Sequence, residues 1–282
     1  MEALELDVGQ RADISRRKAT CPFIGSIVAS GELPVFGSVE RPLAKVEDVI
    51  RLGDSGGGDL GGHVLQLFAI GNHSRLPNLE GAFDGPVPPG FFSLDFPGSD
   101  GAHPGDSGIL IADPLVFQSG RLGGPDLDRL KRLADAQGML SIAAVGQFIA
   151  DNVERDNRCR SKRSNALSRV GRTLGSVFDA LRARFRDAPS RHAAHVRFLQ
   201  NFASAASGDD LMRSSGEFGL LFAFLANAPG AVDGKIKLRD VEAMMEHFQL
   251  PHGWQNWRKT LGAWVVSTGR ILFATRRASN RR

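Results

Sequence analysis

Two cysteines stand in a chain of 282 residues, and the first, Cys21, directly precedes a proline in TCPFIGSIVASGELPVFG, residues 20 to 37. Proline suits the first helical position, because the N–H it lacks would have no intrahelical partner there. The apolar spacing of Phe23, Ile24, Ile27 and Val28 predicts a helix that Gly31 stops. Cys21 is thereby expected at a helix N-terminus, where the dipole and the first-turn N–H groups favour thiolate. A thiolate serves a nucleophile, a redox switch or the iron of a haem. The local residues do not choose among these, and a buried inert cysteine is the plainer alternative.

Nucleophilic catalysis asks for a histidine beside the thiol, oriented by a third group. The chain has seven histidines, but no protease-like context surrounds Cys21, and no CxxC or HxxxH pair suggests zinc. His63, His73, His192, His195, His247 and His252 are expected as ordinary surface or core residues. His103 is set apart by its place beside Pro104, Gly105 and Asp106, in the Gly-, Pro- and Asp-rich segment 76–108. Loops of that length within a compact domain are often functional. Glu217 heads the apolar run GEFGLLFAFLA. A carboxylate there is either a helix-start residue favoured by the dipole or, among apolar neighbours that raise its pKa, a proton-transfer group.

The elements that would position these residues read as helices almost throughout. LAKVEDVIRLG, LDRLKRLADA, SIAAVGQFIADNV, LGSVFDALRARF, EFGLLFAFLANA and KLRDVEAMMEHF carry helical apolar spacing, and no stretch alternates convincingly as a strand. The expected fold class is all-α. The expected organisation is a flexible arm over 1–19, one domain over 20–274 and a basic tail over 275–282. The glycine run GDSGGGDLGG, 53 to 62, lacks the Lys-Ser/Thr end of a phosphate-binding loop and is expected as a connection. DGK at 233–235 lacks the alternating oxygen ligands of a calcium loop.

With 42% hydrophobic and 23% charged residues, the chain can bury a sizeable core. Two cysteines supply no disulfide framework, which points to a reducing compartment. The first 20 residues lack the apolar core of a secretory signal, and no stretch is apolar enough to span a bilayer, so a cytoplasmic protein is expected. The formal charge of +4 comes with arginines and lysines concentrated between Arg155 and Arg197 and in the tail. A solvated helix face accounts for them. Tyrosine is absent and no aromatic residues interleave the basic ones, which argues against nucleic acid. Beside Arg182, Arg184 and Arg186, the apolar stripe Leu174, Val177, Phe178, Leu181 and Phe185 keeps peripheral membrane contact open.

Four segments, taken in order, resemble the haem-thiolate peroxidases, the chloroperoxidase and unspecific peroxygenase family. Cys21, Pro22, Gly31, Leu33, Pro34 and Gly37 are similar to that family's cysteine motif, Cys-Pro, a helix, then Gly-x-Leu-Pro-x-x-Gly. Residues 92–114 resemble the segment carrying its Glu-His-Asp or Glu-Gly-Asp motif, with Gly105 and Asp106 at the last two places and Asp113 at the trailing Asp. SSGEFGLLFAFLANAP resembles the helix bearing the distal glutamate, which falls on Glu217, and Leu250, Pro251, Gly253 and Trp254 match the closing motif. Together they span roughly residues 20 to 260.

The resemblance implies a mostly helical single domain enclosing haem b, with the Cys21 sulfur as axial ligand of the iron. The N–H groups of Phe23 and Ile24 would steady the thiolate, and Asp106 would belong to the haem site. Glu217 would shuttle a proton within hydrogen peroxide, partnered by His103 or by Arg213. The substrate would be an apolar small molecule, reached past Phe91, Phe92, Phe96, Phe218 and Phe222 unless these simply pack the core. Pro104 stands where the family has the glutamate of its structural cation site, Gly108 where it has a serine, and Gly105 where short members have a histidine. Those departures motivate an alternative: a haem-binding sensor or carrier with weak or lost peroxide activation.

Overall fold

The computed structural model describes residues 1–17, 22–61, 88, 90–94, 124–159 and 210–281. Cys21, the segment holding Phe96, His103 and Asp106, and the stretch 160–209, with most of the basic region, lie outside them.

Helices dominate the described chain. In order they are α1 (Val8–Arg17), α2 (Pro22–Ala29), α3 (Val46–Gly53), α4 (Gly124–Lys131), α5 (Ile142–Cys159), α6 (Asp210–Leu225), α7 (Leu238–His247) and α8 (Leu261–Ser279). A 3₁₀ turn, Trp254–Asn256, leads toward α8. Strands β1 (Phe36–Gly37), β2 (Pro42–Lys45) and β3 (Phe91–Ser93) form an antiparallel sheet, with Phe36 opposite Leu43 and Ala44 opposite Phe92. Strands β4 (Met139–Ser141) and β5 (Lys235–Lys237) form a second, with Leu140 opposite Ile236. The expectation of an all-α chain is thus right in its dominant element and misses both sheets. The strands are two to four residues long, too short to show a period, and each of β2, β4 and β5 runs straight into a helix. Hence LAKVEDVIRLG, SIAAVGQFIADNV and KLRDVEAMMEHF, each read as one helix, begin on strand residues.

The centre of the molecule is the packing of α8 against α5 and α6. Small residues let these helices approach closely. A Cβ on Gly146 of α5 would lie 2.6 Å from the Ala274 Cβ of α8, and one on Gly219 of α6 would overlap the Thr268 Oγ1. Trp264 of α8, 1% exposed, donates its indole N–H to the Gly216 carbonyl at 2.9 Å. The start of α8 is capped twice, because Thr260 Oγ1 accepts from Ala263 N at 3.0 Å and Asp59 Oδ1 from Leu261 N at 2.8 Å.

That second cap explains the glycine run. Its loop lies against residues 256–259, where a Cβ on Gly56 would strike the Trp257 carbonyl and one on Gly58 the Lys259 carbonyl. Gly53 and Gly61 face each other so closely that a Cβ on the first would stand 2.6 Å from the second's Cα. The run is a clasp around the approach to α8, held by the Asp54 Oδ1 contact with Gly61 N at 2.5 Å. The helix expected after it lies outside the described residues.

Both ends differ from expectation. Residues 8–17, read as part of a flexible arm, form α1, which packs on α2 with Ile14 and Ser15 buried. Ser15 Oγ donates to the Gly25 carbonyl at 2.8 Å, and Leu4 N donates to the Val35 carbonyl at 2.7 Å. At the other end α8 continues to Ser279 with Thr275 buried, so 275–279 belong to the packed helix rather than to a tail. Among the described residues no helix is long and apolar enough to cross a membrane.

Candidate functional site

Pro22 opens α2, as its lack of an N–H favours, and Gly31 follows the helix at φ 78°, a left-handed conformation suited to glycine. The N–H groups of Phe23 and Ile24 fall in the first turn, where no helical carbonyl lies four residues earlier. The residue before the helix is Cys21, which lies outside the described residues. Ile24 is buried in the core at 1% exposure.

The Phe23 ring marks what this end of α2 touches. It meets Phe224 of α6 edge-on at 5.9 Å between ring centroids and Trp254 at 5.4 Å. Trp254 and Trp257 stand 6.0 and 5.5 Å from the same Phe224 ring. Residues from the cysteine motif, the glutamate helix and the closing motif therefore share one aromatic cluster. His103 and Asp106 lie outside the described residues, and so does their relation to it.

Glu217 is not at a helix start. α6 begins at Asp210, placing Glu217 eighth of its 16 residues, beyond the first turn where the dipole would favour a carboxylate. It is 8% exposed. Seven residues separate Glu217 from Phe224, two turns of helix, so both lie on one stripe about 10 Å apart along the axis. The glutamate is thus on the side of α6 that turns toward α2. Phe218, about 100° further round the helix, packs edge-on against Phe148 of α5 at 5.9 Å and is 0% exposed. With Phe222, at 1%, it is core rather than channel lining. Phe91 packs on Phe36 in the first sheet, at 5.1 Å.

Three buried hydroxyls accompany α6: Ser214, Ser215 and Thr268 are each 0% exposed, and none of their oxygens finds a hydrogen-bond partner among the described residues. The sequence signal was present in SSGEF, two serines ahead of the glutamate in an apolar run, and was not used.

Lys259 was also missed. It is 2% exposed, and its Nζ donates to Ser55 Oγ at 2.9 Å and to the carbonyls of Trp257 at 2.8 Å and Trp254 at 3.2 Å, with the Trp254 ring 5.0 Å away. Burial pushes its pKa down to about 8, against the opposing attraction of Asp54. Three donors meet three acceptors, so this ammonium is a structural tie between the glycine clasp and the Trp254 turn.

Beside that turn a groove of about 760 Å³ runs between α1 and residues 247–256, with Ala12, Glu32, Phe248, Leu250 and Trp254 in its walls. His247 and His252 are exposed at its edge. Phe248 ends α7 at φ 52°, a costly conformation for a bulky residue, and Gln249 N reaches back to the Ala243 carbonyl at 3.0 Å.

Among the described residues no group of three or more His, Cys, Asp or Glu could hold a metal ion. No family model, curated protein or solved structure matches this chain.

Proposed function

We propose that the chain is a haem-thiolate peroxidase or peroxygenase that uses hydrogen peroxide to oxidise or oxygenate an apolar small molecule. One observation carries this most directly: Glu217, in the interior and midway along α6, shares a helical stripe with Phe224, which packs on the residue two places after Cys21. Proton transfer is a task that a carboxylate in this position suits, and it is the task the resemblance implies for Glu217.

Of a haem site held by one thiolate, the described residues include a helix start, at Pro22, and an acid–base group, Glu217. Such a site needs a single protein ligand, a helix end to moderate its charge, and an acid–base group. Cys21 would be the ligand, and the first-turn N–H groups of Phe23 and Ile24 would hydrogen-bond its sulfur. When bound, thiolate-ligated haem supplies the electron push that favours O–O cleavage. The Glu217 carboxylate would hold and move a proton of hydrogen peroxide, accepting it from one oxygen and returning it to the other. Its apolar surroundings, Phe222 and Leu221 among them, would keep bulk water from competing. His103 and Asp106, as the resemblance implies, would join this site from the loop, with His103 or Arg213 as partner of the glutamate.

The test is Glu217→Gln, which keeps the shape of the side chain and removes its acid–base function. Haem should be retained while peroxide-driven turnover falls about 10²–10⁴-fold. Unchanged turnover would remove Glu217 from the mechanism. A second reading, a haem sensor or carrier of the same fold, is favoured by Pro104 and Gly105 at the positions described above. Wild-type protein that binds haem through Cys21 and shows no turnover would select it.

A further inference from the structure

Of the three buried hydroxyls without a partner among the described residues, only one can serve Glu217. Counting 100° per residue, Ser215 lies about 160° around α6 from Glu217 and about 40° from Gly219, on the side closed by Thr268 of α8. Ser215 and Thr268 therefore belong to the helix seam. Ser214 lies about 60° from Glu217 and one turn before it, on the same flank.

A serine hydroxyl carries one donor and two acceptor sites, and leaving it unmatched in a core is unfavourable. Buried groups of this kind are normally satisfied by an ordered water or a ligand. Side chains three residues apart on a helix have Cβ atoms about 5–6 Å from each other, a gap that a short hydroxyl and a carboxylate can share with one water-sized molecule.

We infer that Ser214 and Glu217 together bracket one small oxygen ligand, water at rest and hydrogen peroxide in turnover. This rests on the proton-transfer role proposed for Glu217. Peroxide presents two O–H donors and four lone pairs, so it can donate to the carboxylate while accepting from the Ser214 hydroxyl. That contact would fix which oxygen faces Glu217. Ser214 thus sets the binding of peroxide, whereas Glu217 sets the proton transfer.

The experiment has two parts. A crystal structure of the wild-type chain should show an ordered water within hydrogen-bond distance of both the Ser214 Oγ and the Glu217 carboxylate; a dry gap overturns the inference. Steady-state kinetics of the haem-loaded protein should show Ser214→Ala raising KM for peroxide about threefold to tenfold, the worth of one neutral hydrogen bond, with a smaller change in kcat. Ser215→Ala also removes a buried hydroxyl, but on the seam side, and should leave KM for peroxide unchanged. If Glu217→Gln abolishes turnover while Ser214→Ala and Ser215→Ala behave alike, the inference falls and the role of Glu217 stands. If the haem-loaded wild-type protein shows no turnover, both fall together.

Discussion

Lys259 shows at the residue scale how burial sets a measurable pH dependence. Its pKa is about 8 in the folded chain and that of an ordinary lysine, about 10.4, in the unfolded one. Between those values the unfolded chain binds more protons, so stability should rise as pH climbs from about 8 to about 10.4 and stay flat for this group below 8. Thermal unfolding across that window should show the rise in wild type and lose it in Lys259→Met; an identical slope in both would assign the dependence elsewhere. At pH 7 the same variant leaves the Trp254 and Trp257 carbonyls without their donor, a cost of about 2–5 kcal/mol. Nothing in NWRKTLG announces this lysine, because its burial comes from a loop some 200 residues earlier in the chain. The helix that Pro22 opens was legible since its signal is local, and so was the charge of Glu217 within an apolar run. The position of Glu217 within its helix was not, because DLMRSS ahead of it is too polar to extend the apolar pattern back to Asp210.

The element scale is governed by how closely α5, α6 and α8 approach. Gly219→Ala would drive a methyl group into Thr268 and should destabilise the chain by about 1–3 kcal/mol. Combining it with Thr268→Ala should cost less than the two single changes summed, since both concern one contact. Additive effects by chemical denaturation would show that the helices shift apart instead. Helix identity was readable from periodicity for α2, α5, α6 and α7, whereas the strands that lead into α3, α5 and α7 were not. Their pairing partners lie up to about 100 residues away, as with Leu140 and Ile236, and three residues cannot display alternation. The glycine run has a comparable explanation: its residues are glycines because the backbone of 256–259 passes where side chains would be, a constraint invisible until both segments are placed.

For the whole molecule, the amino-terminal helix is the clearest departure from expectation. Ile14 at 1% exposure and Ser15 bonded to Gly25 make α1 part of the support of α2, and so of the helix that follows Cys21. Ile14→Ala should cost about 2–5 kcal/mol; an effect near zero by calorimetry would restore the view of residues 1–19 as a flexible arm. What could be read of the global fold was its helical class; the meeting of Phe23, Phe224 and Trp254 in one aromatic cluster was not, because they lie in segments far apart in the chain. The central claim is that Cys21 holds a haem iron through its thiolate. The most direct measurement is the absorption spectrum of protein expressed with a haem supply, reduced and exposed to carbon monoxide, for wild type and Cys21→Ala. A strongly red-shifted Soret band in wild type that is lost in the variant is the predicted result. A histidine-type band, a spectrum unchanged in Cys21→Ala, or a chain that takes up no haem would contradict it.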